Sequence, residues 1–149
     1  MKPIIQESYP ALRPEQLDEV ERGLEVVFPE EYRAFLAEHN GGHPQPEAFR
    51  MPSGDVEMVD RFLGIRPGEH NDLTRYVGVY QARVPRELVP VAHDSFGNLI
   101  CIGVRGAYTG KVFFWDHDRE VEEGEEPDYE NVALIAGDFE EFLEMFEAL

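Results

Sequence analysis

The amino-acid sequence predicts an α+β fold, with N-terminal helices, a central mostly antiparallel sheet and a C-terminal helix. Three observations predict it. Apolar residues recur at helical spacing through residues 14–39, β-rich runs separated by turn residues fill 88–116, and helical spacing returns after Asp138. Helices and strands fall in blocks and do not alternate, which separates this pattern from a doubly wound parallel sheet. At 149 residues, with no internal repeat or linker, the chain is expected to form one domain over residues 1–149.

The first helix opens at Pro14, since proline suits a first helical turn, and Leu17, Val20 and Leu24 give it one apolar stripe. Gly23 is placed at its end. The second opens at Pro29, with Glu30 and Glu31 near the positive end of the helix dipole and Tyr32, Phe35, Leu36 and His39 on one face. Asn40-Gly41-Gly42 follows that helix, so its amides lie at the wrong end to cradle a phosphate. The expectation is a C-terminal cap, in which glycine takes the left-handed conformation that stops a helix.

Residues 55–65, DVEMVDRFLGI, read as a strand with Val56, Met58 and Phe62 inward, followed by a loop at RPGEHN. Asn71 or Asp72 caps a third helix carrying Leu73, Tyr76, Val77 and Tyr80 on one face, and Pro85 closes it. LVPVAH, NLICIGV and KVFFWD then form a meander around the turns DSFG and RGAYTG. NVALIA adds a short strand. Asp138 caps the last helix, with Phe139, Phe142, Leu143 and Phe146 inward and Glu140, Glu141, Glu144 and Glu147 outward.

Composition narrows the function. Hydrophobic residues at 42% fit a packed globular interior, and 31 acids against 13 bases give a net charge of −18. That field repels phosphates and anionic lipids, so direct nucleic-acid or membrane binding is disfavoured. No apolar run approaches the roughly 20 residues of a membrane span, and the first residues lack the apolar core of a secretory signal. A single cysteine, Cys101, allows neither an internal disulfide nor a cysteine-rich zinc site, so a soluble protein of the reducing cytoplasm is expected.

Few residues suggest chemistry. His93-Asp94 and Asp116-His117-Asp118 could ligate a metal if the strands brought them together, which would make the chain a metal-dependent enzyme; the spacing is not that of a metal motif. Ser95 lies in DSFG and not in a nucleophile elbow, and Cys101 sits inside a strand, where a buried, inert thiol is expected. There is no phosphate-binding loop, dinucleotide fingerprint or paired histidine motif. No catalytic, cofactor or metal residue is assigned.

Charge is concentrated at one end. Residues 116–149 hold 14 acids and one base, Arg119. Within them the run 116–130 is an exposed loop by composition, too irregular for the ligand order of an EF-hand. It reads either as a solvated face or as a surface for a basic partner formed by Asp116, Asp118, Glu120, Glu122, Glu123, Glu125, Glu126 and Asp128, with Trp115 and Tyr129 as aromatic anchors at its edges.

The segment FPEEYRAFLAEHNGG, residues 28–42, resembles the N-terminal signature of the SUKH superfamily, which includes fungal cell-wall-assembly regulators and bacterial immunity proteins. LDEVERGLEVVFP, VPVAHDSFGNLICIGV, GKVFFWDHD and DFEEFLEMF are similar to the family's first helix, central strands, next strand and closing helix, in that order; residues 43–75 match only loosely. The resemblance implies a non-catalytic protein-binding domain, needing no cofactor, that neutralises a cognate polymorphic toxin, often a nuclease and hence basic. The alternative it implies is a regulatory or scaffold module of the cell-wall-regulator type. It gives Leu24, Pro29, Tyr32, Phe35 and Leu36 to the helical side, Asn40 to Gly42 to its end and Gly97 with Asn98 to a turn, all structural roles.

Overall fold

The computed structural model describes residues 1–149. Strand β1 (Ile4–Gln6) leads into two helices, α1 (Pro14–Leu24) and α2 (Glu30–Glu38). Pro14 stands in the first turn of α1, and the Gln16 side chain accepts the Arg13 N–H at 2.8 Å. The helix runs through Gly23 and stops at Glu25, which takes the left-handed conformation with φ of 58°. The stop is therefore two residues later than expected and uses a glutamate.

Three sheets follow. β1 pairs antiparallel with β2 (His43–Gln45). A three-stranded sheet has the order β10 (Phe146–Glu147), β3 (Ala48–Arg50) and β4 (Val56–Met58). The largest has the order β5 (Arg61–Phe62), β6 (Leu88–His93), β7 (Leu99–Gly103), β8 (Val112–Trp115) and β9 (Val132–Ala136), antiparallel throughout. Helix α3 (Leu73–Tyr80) lies between β5 and β6 in the chain, and α4 (Phe139–Glu144) follows β9. The expected α+β architecture and central meander are present.

Residues of β7 and β8 are buried without alternation, so both faces of the central sheet are covered. Tyr76 of α3 stacks on His93 with centroids 5.4 Å apart, and Tyr80 meets Trp115 edge-on at 5.7 Å. Elsewhere Phe35 of α2 packs against Phe139 of α4 at 5.0 Å, and Phe49 of β3 against Phe142 at 5.3 Å. Phe139, Phe142, Leu143 and Phe146 are all buried, as the apolar stripe predicted. Helix α4 nevertheless ends at Glu144, and Phe146 and Glu147 form β10 against β3.

The stretch 55–65 departs most from expectation. It is two strands in two sheets, and Val56 and Met58 point to solvent while Val59, Phe62 and Leu63 are buried. The chain changes partners at Val59–Asp60, where Val59 N–H donates to Glu47 C=O and Asp60 N–H to His93 C=O. A change of sheet resets which alternate residues face inward, so one period of two cannot describe the segment.

Asn40-Gly41-Gly42 is also more than a helix stop. The α2 cap is His39, in extended conformation, and the left-handed residues come later, with φ of 71° at Gly41 and 135° at Gly42. Gly42 exchanges backbone hydrogen bonds with Phe62. A Cβ on Gly41 would lie 2.8 Å from the Phe62 carbonyl oxygen, and one on Gly42 would lie 2.5 Å from that of Gln6. Glycine is required because three chain segments meet there.

Candidate functional site

The acidic stretch hangs from the end of β8. Trp115, the last residue of that strand, is fully buried. Its ring lies under Tyr80 and 5.8 Å from the Arg83 guanidinium, so it is a core residue and cannot act as a surface anchor. The sequence pattern hid this, because a tryptophan before an acidic run looks the same whichever way its side chain turns.

Asp116 holds the following turn together. Its backbone pairs with Asn131, whose Nδ2 donates to Asp116 C=O at 2.8 Å, and its carboxylate accepts the Asp118 N–H at 2.9 Å. The turn at His117–Arg119 then delivers Glu120 to Arg83, where the guanidinium donates twice to the carboxylate, both at 2.9 Å. His117 Nδ1 lies 2.5 Å from the same carboxylate. Hydrogen bonding from Arg83 holds the Glu120 carboxyl below the usual range, with His117 and the Arg83 charge adding to it and burial opposing. Asp116 and Glu120 are thus committed within the molecule.

Residues beyond Glu120 are different. Asp118, Glu122, Glu123, Glu125, Glu126 and Asp128 are exposed, and none makes an ion pair. The loop is shaped by its own backbone: Glu125 N–H donates to Glu122 C=O at 3.0 Å, and Gly124 takes φ of 91°. Tyr129 anchors its far end from inside, half-buried, stacked on Tyr108 at 5.0 Å and donating from its hydroxyl to Glu87 at 2.5 Å. Burial, followed by the bond to Glu87, pushes that hydroxyl's pKa up. A groove of about 490 Å³ lies between this segment and the end of α3, lined by Val79, Ala82, Arg83, Glu120 and Glu122.

Of the residues considered for metal chemistry, all but the exposed Asp118 are taken up by hydrogen bonds of their own. His93 Nε2 lies 2.7 Å from the Asn71 amide oxygen, and His117 is taken by Glu120. Asp94 accepts the Phe96 and Asn98 amides at 2.8 and 2.9 Å, building the turn. No group of three or more histidine, cysteine, aspartate or glutamate side chains is arranged to hold a metal. Cys101 is buried, and burial pushes its thiol's pKa up, against nucleophilic use. No helix is long and apolar enough to cross a membrane.

The family model described as SMI1 / KNR4 family (SUKH-1) matches residues 11–145. The chain belongs to this family. A relative is the SPbeta prophage-derived uncharacterized protein YokK of Bacillus subtilis (strain 168), 30% identical over 154 aligned residues that cover 91% of this chain and 75% of the relative. The SUKH-1 signature at residues 28–42 is spent on architecture: Tyr32, Phe35 and Leu36 are buried, and Asn40 to Gly42 clamp the loops beneath α2.

In this SUKH-1 chain the structure also brings together acids that are distant in sequence. Glu57 and Asp60 stand near Asp94 and Phe96 of the β6–β7 turn, and that turn touches the acidic stretch where Asn98 Oδ1 accepts the His117 N–H at 2.9 Å. The sequence pattern hides this second acidic group, because it turns Val56 and Met58 to the interior, whereas both are exposed. The one available signal was the acid-rich spacing of Asp55, Glu57 and Asp60.

Proposed function

We infer that the chain is a single, non-catalytic protein-binding domain that works in the cytoplasm as an immunity protein, neutralising a cognate toxin through its acidic surface. One observation carries the reading. Six exposed carboxylates between Asp118 and Asp128 have no cation of their own, although the chain pairs Glu120 with Arg83 a few residues away. Uncompensated like charges repel one another in the free protein, and covering them with a basic surface relieves that repulsion. A nuclease toxin carries such a surface, because it must hold phosphates. Family membership supports a protein-binding role, and the engagement of His93, Asp94, Asp116 and His117 in separate hydrogen bonds supports a role without chemistry.

Occlusion follows from charge and size. Opposed potentials speed encounter and orient it, so association is fast and weakens as salt is raised. Identifying a toxin domain encoded beside the gene and co-expressing the two tests the reading. Growth is expected to be restored when the two are produced together. Continued killing by that toxin in cells that contain soluble, folded chain would refute it.

A further inference from the structure

A second surface, away from the loop at 118–128, has the composition of a docking strand. β4 is the outer strand of its sheet, so one of its edges has no neighbour. Val59 N–H donates to Glu47 C=O at 2.9 Å and Met51 N–H to Asp55 C=O at 2.7 Å, and the register sets Glu57 opposite Phe49. Antiparallel alternation then turns the backbone groups of Asp55, Glu57 and Val59 toward β3 and those of Val56 and Met58 outward.

The side chains around that edge are apolar and acidic. Val56 is 43% exposed, Met58 46% and Phe96, at the tip of the facing turn, 78%. A groove of about 270 Å³ runs between β4 and this turn, lined by Glu47, Glu57, Asp60, Asp94 and Phe96. On its other side β4 borders a groove that includes Pro46, Ala48, Val56 and Met58. An added strand would place alternate side chains in the two grooves.

Glu47 has His43 at 3.3 Å and Asp60 lies 3.9 Å from His93 Nδ1, but Glu57 and Asp94 have no cation. The Glu57 side chain makes no ion pair or hydrogen bond, and burial, then Asp94, Asp55 and Asp116, push its carboxyl's pKa up. Asp94 is occupied only by turn amides and Asn98, and Arg50, opposite Val56 in register, is already bonded to Glu147 and Gly54. Monomers usually guard such an edge with lysine, proline or a bulge. β4 has no lysine, proline or bulge; its guards are its three-residue length and the acid Glu57, which a basic partner would neutralise, and it shows two apolar side chains beside them.

We propose that the free edge of β4, with Val56, Met58 and Phe96 beside it and Glu57, Asp60 and Asp94 around it, docks an extended partner segment in which apolar and basic side chains alternate. The partner's backbone pairs with the outward groups of Val56 and Met58, its apolar side chains cover those two residues, and its basic side chains enter the acidic groove. A second copy of this chain is the wrong occupant, since two chains of charge −18 repel and self-pairing sets acid against acid. The inference rests on the reading of the chain as a protein binder and does not require the partner to be a toxin.

The test uses the full chain, isotope-labelled, and a capped eight-residue peptide of alternating arginine and valine. Saturable binding is expected, with the Val56 and Met58 amides becoming protected from hydrogen exchange. A peptide of four arginines followed by four valines is expected to bind about tenfold more weakly or worse, for want of the alternation. Met58→Pro removes an outward N–H and leaves the β3 ladder intact, and it should also cost about tenfold. Should that variant misfold, the exposed pair Met58→Lys and Phe96→Lys supplies the same loss at little cost to stability. Equal binding of both peptides, protection confined to residues 118–128, or peptide-independent dimerisation through β4 would each overturn the proposal. Rescue of growth in co-expression without peptide docking at β4 removes the docking edge alone, whereas peptide docking without rescue removes the immunity reading alone.

Discussion

Asn40→Ala is the sharpest probe of how the family signature works. Asn40 is 2% exposed, and its Nδ2 donates to Pro10 C=O at 2.8 Å and to Ile65 C=O at 3.0 Å, while its Oδ1 accepts the Ile65 N–H at 2.6 Å. One amide thus joins the segment before α1 to the loop after β5. Alanine removes all three bonds and strands three backbone groups where water has little access. At about 1 kcal/mol net per bond the loss is about 3 kcal/mol, and incomplete rehydration raises it. For a chain of this size that lowers Tm by about 6–12 °C. The single tryptophan, buried at 115, reports urea unfolding by fluorescence. Asn40→Asp should be at least as damaging, because it turns a carboxylate oxygen toward two carbonyls. A loss below about 1 kcal/mol for Asn40→Ala would refute the clamp and return Asn40 to a simple helix-end role.

Two further outcomes are expected. Replacing Glu122, Glu123, Glu125 and Glu126 with glutamine should leave stability within about 0.5 kcal/mol, as exposed sites allow, while the association rate with a basic partner falls and its salt dependence flattens; an unchanged rate measured by stopped flow would mark the loop as solvated surface only. The Arg83–Glu120 pair sets a pH dependence: Glu120 titrates lower when folded than its ordinary 4.5, so its stabilisation is complete above that value and is lost as pH falls through the folded pKa. Urea midpoints of the wild type and Arg83→Met should therefore differ at pH 7 and converge as the pH falls through the folded pKa of Glu120; a constant gap would show that Arg83 acts through its packing on Tyr80, over whose ring it lies at 4.4 Å.

Local pattern was legible where one element kept one environment. The Leu17 stripe, the Tyr32-Phe35-Leu36 face, the Asp72 and Asp138 caps and the β6–β8 meander all follow from spacing and capping chemistry, and the structure contains them. Legibility failed where partners are remote. β1, β2, β3 and β10 are two or three residues long and exist only because distant segments pair with them. So short a strand carries too few residues to show a period. The candidate surface was legible in charge but not in orientation: Glu122 to Glu126 are exposed as the run suggested, whereas Trp115 is core and Glu120 is paired within the molecule.

Composition and order along the chain determined the fold class, the family, the strong negative charge and the absence of any familiar catalytic motif, because each is a local or summed property of the residues. Tertiary structure alone decided which acids lack a partner, that Asn40 to Gly42 tie three segments together, and that Val56 and Met58 face solvent on an open edge. These depend on which segments meet in space. A sequence records the side chains that can pair, and folding selects the pairs that form.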